Sequence, residues 1–117
     1  MESICQTCMH QCRLKPGQKG LCRARVNDNG RIRCENYGRI TSLALDPIEK
    51  KPLRMFYPGN MILSAGSYGC NLKCSFCQNH EISMNDFSAA ETVYLSPEEL
   101  RDKALAYKNA GNIGVAF

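Results

Sequence analysis

"MILSAGSYGCNLKCSFCQNH", Met61 to His80, sets a short apolar run directly ahead of three cysteines and a histidine. Met61 to Ala65 has the length and apolarity of a buried strand, and Gly66 closes it. Four residues on, Cys70, Cys74 and Cys77 form C-x3-C-x2-C, a spacing that lets three thiolates of one loop converge on a single centre. Spacing alone leaves three centres open: zinc completed by His80, a four-iron cluster with one iron left for an outside ligand, or a redox pair of thiols. Gly69 permits close backbone approach, and Phe76 offers an apolar wall beside the last cysteine. Both tip the reading toward the cluster, because structural zinc needs neither.

Downstream, a polar loop through "NDFSAAETVYL" leads to "SPEELRDKALAYKNAG". This segment predicts a helix with Ser96 as N-cap, Pro97 in the first position and Glu99 completing a capping box. Leu100, Ala104 and Tyr107 recur on one face and Gly111 is the stop. "NIGVAF" predicts a second buried strand, so strand, loop, helix and strand make a βαβ unit with parallel strands and a right-handed crossover. Two parallel strands under one helix leave a sheet face uncovered. The chain therefore reads as the front of a longer protein, ending at Phe117 inside its sheet.

Upstream, "FYPGN" at Phe56 to Asn60 separates residues 58–117 from a cysteine-rich domain at 1–57. In that domain Asn27-Asp28-Asn29-Gly30 lies between two alternating runs and predicts a β-hairpin from about Cys22 to Glu35. "GRITSLAL" reads as a further strand, and "DPIEKKPL" as one helical turn capped by Asp46 with Pro47 first. Cys5, Cys8, Cys12 and Cys22 form C-x2-C-x3-C-x9-C, which suits tetrahedral zinc or an auxiliary iron–sulfur cluster. A small block poor in apolar residues needs such a staple, and zinc is favoured. Cys34 across the hairpin is an alternative ligand, while His10 reads as a surface histidine.

The bulk numbers bound the function. At 117 residues there is room for one small domain or two very small ones. Eight cysteines would suit a secreted disulfide scaffold, but "MESICQTCMH" has no basic start, apolar core or cleavage site of a signal peptide. The expected compartment is the cytoplasm, where reduced thiols serve as metal ligands or catalysts. "MILSAG" and "IGVAF" fall short of the roughly 20 residues a spanning helix needs, so no membrane is expected. A net charge of +4 is read as a solvated surface, and nucleic acid is disfavoured as a partner. No Ser/His/Asp set, carboxylate pair or phosphate loop stands out.

"GCNLKCSFCQN" resembles the signature of the radical S-adenosylmethionine (radical SAM) superfamily, placed after the first strand as in that superfamily's partial (β/α) barrel. The match continues through "DPIEKKPL", "FYPGN" and "CQNHEIS" and, with the cysteine-rich start, is similar to the proteins related to pyruvate formate-lyase activating enzyme. Within these it resembles most the radical enzymes of the AmmeMemoRadiSam system.

The resemblance implies an α/β fold: the first βαβ unit of a radical SAM barrel behind a small cysteine-rich hairpin domain. It implies that Cys70, Cys74 and Cys77 hold a [4Fe-4S] cluster whose fourth iron binds S-adenosylmethionine, and that the backbone at Phe76 meets the adenine. Reductive cleavage to a 5′-deoxyadenosyl radical, an electron donor such as flavodoxin or ferredoxin, and a protein substrate follow by the same analogy. The later strands of that barrel lie outside these residues, so the 117-residue chain alone is expected not to turn over. A zinc module contacting nucleic acid and a small iron–sulfur electron carrier are the competing functions.

Overall fold

The computed structural model describes residues 1–83 and 92–117. Its first elements are short because cysteine-bearing turns interrupt them. β1 (Ser3–Ile4) and β2 (Arg13–Leu14) pair antiparallel, and the Cys5 N–H donates to the Cys12 carbonyl at 2.9 Å to close the loop between them. β3 (Arg25–Asp28) and β4 (Arg31–Cys34) form the expected hairpin. Its turn is Asn29-Gly30, with φ of +50° and +93°, the left-handed pair that matches strand twist in a two-residue hairpin.

Asn27 belongs to β3 rather than to the turn, and it is fully buried. Its side-chain amide donates to the carbonyls of Leu14 (2.7 Å) and Met1 (2.9 Å), and its Oδ1 accepts from the Gly30 N–H (2.7 Å). One polar side chain thus ties the amino terminus, β2 and the hairpin together. Burial is tolerated because each polar atom is satisfied.

"GRITSLAL" divides into β5 (Arg39–Ile40) and β6 (Ser42–Pro47). β6 pairs antiparallel with β7 (Met61–Gly66) through six residue pairs, from Ser42 opposite Gly66 to Pro47 opposite Met61. That pairing overrides the helical turn expected at "DPIEKKPL". Asp46 and Pro47 finish the strand, and only Ile48–Lys50 turn, as a 3-10 helix with no side-chain cap. Asp46 instead accepts from Lys50 Nζ at 3.3 Å. Pro47 is admissible because β6 lies at a sheet edge and ends there.

After β7, α1 (His80–Ser83) is a single turn, and residues 84–91 of the expected polar loop lie outside the described residues. The end of that loop is a strand, β8 (Val93–Tyr94), paired antiparallel with β5. α2 (Pro97–Ala106) has the predicted capping box: the Glu99 N–H donates to Ser96 Oγ at 3.2 Å and the Ser96 N–H to Glu99 Oε1 at 3.4 Å. A 3-10 turn at Lys108–Ala110 and Gly111, at φ +90°, end it.

β9 (Asn112–Ala116) then runs parallel to β7, giving the sheet order β6-β7-β9. The expected two-stranded sheet therefore has a third, antiparallel strand, drawn from ahead of Phe56 to Asn60. Asn112 is buried and enters the ladder: its Oδ1 accepts the Leu63 N–H at 2.9 Å, while its Nδ2 donates to the Ala104 carbonyl at 2.9 Å. The register shifts between Met61 and Leu63 at that point.

Central β7 carries buried Ile62, Leu63 and Ala65. Ile40, Ala65 and Leu95 form a core cluster with half-buried Leu43 and Leu100 against it. β9 is less buried than expected, with Ile113, Val115 and Phe117 exposed, since no described element covers that side. Of the predicted helix face, Leu100 packs on the core but Tyr107 is exposed. Among the described residues no helix is long and apolar enough to cross a membrane.

Candidate functional site

The cysteine loop leaves the C-terminal end of β7, and its entry is tightly held. Ser67 Oγ donates to the Arg39 carbonyl at 2.7 Å, and the carbonyl of fully buried Tyr68 accepts from Asn36 Nδ2 at 2.8 Å. Gly69 has φ +85°, and a Cβ there would stand 2.6 Å from the Cys22 carbonyl oxygen and 3.1 Å from Ala24 Cβ. Glycine is thus required twice, by conformation and by space. The close approach lets the Cys70 N–H donate to that same Cys22 oxygen at 3.1 Å.

Beyond Cys70 the loop opens. The Leu72 N–H donates to Cys70 Sγ at 3.4 Å, and the Cys77 N–H to the Cys74 carbonyl at 3.3 Å. Cys77 Sγ lies 3.5 Å from Ser83 Oγ in α1. Cys70 and Cys77 are half-buried and Cys74 is exposed. Phe76 is 86% exposed, so its ring forms an apolar wall only against something placed on the loop. His80 begins α1, and its Nδ1 lies 3.3 Å from the Cys77 carbonyl.

The amino-terminal cysteines face this entry. Cys5, Cys8, Cys12, Cys22, Cys34 and Cys70 all line one cavity of about 240 Å³. Cys34 Sγ donates to Asn36 Oδ1 at 2.9 Å. Thr7, through its hydroxyl and its backbone, holds the Cys5 thiol below its ordinary value, with the charge of Arg25 acting the same way against burial. His10, read from the sequence as a bystander, has its Nε2 2.7 Å from the Asn71 carbonyl inside the cysteine loop. Nothing in a histidine 61 residues away signals that contact in the sequence.

All eight cysteines are free thiols. Among the described residues no three Cys, His, Asp or Glu side chains already close on one point as a metal would require. The fit of a [4Fe-4S] group to Cys70, Cys74 and Cys77 rests on the donor set: three thiols in one loop at a strand's C-terminal end, with an amide N–H on the first sulfur. Cys74 is exposed and Cys70 and Cys77 are half-buried, so none of the three thiols is sealed in the core.

Compared with known proteins, the chain is 42% identical over 109 residues to the uncharacterized protein MJ0808 of Methanocaldococcus jannaschii. The match takes in 92% of this chain but 32% of that relative, so the chain spans about a third of the length of the curated protein it matches. No family model matches the chain. No solved structure matches it.

Proposed function

We propose that this chain is the amino-terminal part of a radical SAM enzyme of the activating-enzyme-like kind, with Cys70, Cys74 and Cys77 as its cluster ligands. The observation that carries this reading is the C-x3-C-x2-C loop at the C-terminal end of β7, beside parallel β9. In sheets with parallel strands, ligands sit outside the carboxyl ends, where loops meet above a rigid floor.

A [4Fe-4S] cluster bound there supplies an open iron for the amino and carboxylate groups of S-adenosylmethionine, and a strongly reducing electron for its sulfonium bond. The residues of the chain supply the setting. Gly69 brings the first thiol against the amino-terminal module, and the Leu72 N–H donates to its sulfur. The backbone at Phe76, next to the third thiol in the chain, meets the adenine. A cytoplasmic setting, flavodoxin or ferredoxin as electron donor, and a protein substrate belong to the same proposal. Turnover needs the remaining strands of the longer protein.

Anaerobic reconstitution with iron and sulfide tests the reading. The expected result is about four irons per chain, lost when Cys70, Cys74 and Cys77 are all changed to Ala, and an electron-spin signal altered by S-adenosylmethionine. Zinc at these cysteines, iron that survives the triple substitution, or a signal indifferent to S-adenosylmethionine would each overturn it.

A further inference from the structure

The amino-terminal module is built around thiols more than around a core. Before Glu35 the buried apolar side chains are Cys5, Leu14 and Val26. Two tight turns carry its cysteines toward each other. In the first, the Gln11 N–H donates to the Cys8 carbonyl at 3.2 Å and Gln11 takes φ +43° just before Cys12. In the second, the Arg23 N–H donates to the Gly20 carbonyl at 2.9 Å and Arg23 takes φ +63° just after Cys22. Left-handed backbone at such residues is strained and persists only when the surroundings hold it.

Two of the sulfurs flank Gly20. A Cβ at that residue would stand 3.7 Å from Cys12 Sγ and 3.8 Å from Cys22 Sγ. Cys5, Cys8 and Cys34 line the same cavity, and Cys34 Sγ donates to Asn36. Four thiols on one cavity are the donor set of a tetrahedral zinc site, to be completed by side-chain rotation.

From this we infer that Cys5, Cys8, Cys12 and Cys22 bind one zinc ion, and that this zinc clasp sets the position of Cys70. The clasp reaches the cysteine loop at two places: the Cys22 carbonyl on the Cys70 N–H, and His10 on the Asn71 carbonyl. Zinc binding by the first four cysteines is independent of the radical SAM reading; the meaning of its grip on Cys70 rests on that reading.

The 117-residue chain, expressed with zinc and counted by mass spectrometry, is expected to hold about one zinc. Cys8→Ser and Cys12→Ser each bring this below about a tenth, whereas Cys34→Ser and the triple Ala variant at Cys70, Cys74 and Cys77 leave it unchanged. Because the first two variants are prone to unfold, cobalt titration of the unaltered chain gives a second readout: thiolate-to-metal charge transfer with tetrahedral bands, abolished by zinc. Zinc retained in Cys12→Ser, zinc lost in Cys34→Ser, a missing cobalt spectrum, or iron on these four thiols in the triple variant overturns the site.

For the grip on Cys70, chelating the zinc is expected to speed alkylation of Cys70 about tenfold and of Cys74 less than about twofold. Equal acceleration of both overturns the coupling. A chain that fails to take iron at Cys70, Cys74 and Cys77 still reports its zinc, so the two failures are told apart.

Discussion

The amino-terminal thiols and the loop thiols differ in what holds them. Cys5, Cys8, Cys12 and Cys22 hang from two antiparallel pairs and their turns, and the backbone is fixed on both sides of most of them. Cys74 and Cys77 hang from one strand end and one short turn, while Cys70 is anchored by the other module. Both sets read alike in the sequence as close-spaced cysteines. The difference teaches that spacing says which thiols share a loop, whereas strand pairing says which thiols are gathered around one cavity.

Gly69→Ala should break the comparison most, because it strikes the point where the two regions touch. A Cβ at φ +85° and 2.6 Å from a carbonyl oxygen meets backbone on the far side, which has little room to give. The expected loss is about 3 kcal/mol in urea denaturation, with Cys70 becoming as reactive as Cys74. A change under about 0.5 kcal/mol would show that the two regions are not tied there.

Asn27→Ala attacks the gathered region alone. It strips hydrogen bonds from the Leu14 carbonyl and the Gly30 N–H and should cost about 2–3 kcal/mol, lowering zinc retention more than iron uptake. Equal effects on both metals would mean that the modules unfold as one.

Ser96→Ala serves as a remote control. Losing the capping box should cost about 1 kcal/mol and leave both metal counts alone. If zinc falls with it, general stability rather than local gathering governs the site.

The smallest effect concerns acid. Asp46 is held below its ordinary carboxylate value near 3.8, first by Ser64 and then by Lys50 and Lys51. The unfolded chain therefore takes this proton first as pH falls. The carboxylate contributes stability in full above that value and loses it as pH drops through the lower folded one. The gap between the unaltered chain and Asp46→Asn should close over that window in acid denaturation, and a gap that persists below it would sink the assignment.

Much of the local structure was legible because short-range chemistry sets it. The Asn29-Gly30 turn, the Ser96 capping box, the Gly111 stop and the apolar run of β7 each depend on a few neighbours in the chain. The misreadings share one cause. Asp46-Pro47 looks like a helix start until β7 supplies six pairing partners, and "NIGVAF" looks buried until nothing described covers its outer side. In both places a distant segment, present or missing, outweighed local preference.

By itself the sequence determined which residues are candidates for chemistry: two sets of closely spaced cysteines, with a glycine and an aromatic residue beside the second. Only the tertiary structure decided that Cys22 and Cys70 meet, that His10 reaches Asn71, and that Asn27 and Asn112 are buried linchpins. The physical reason is separation along the chain. A turn or a cap is a contact between near neighbours and leaves a mark in composition, whereas a backbone hydrogen bond between Cys22 and Cys70 uses atoms that every residue has and leaves none.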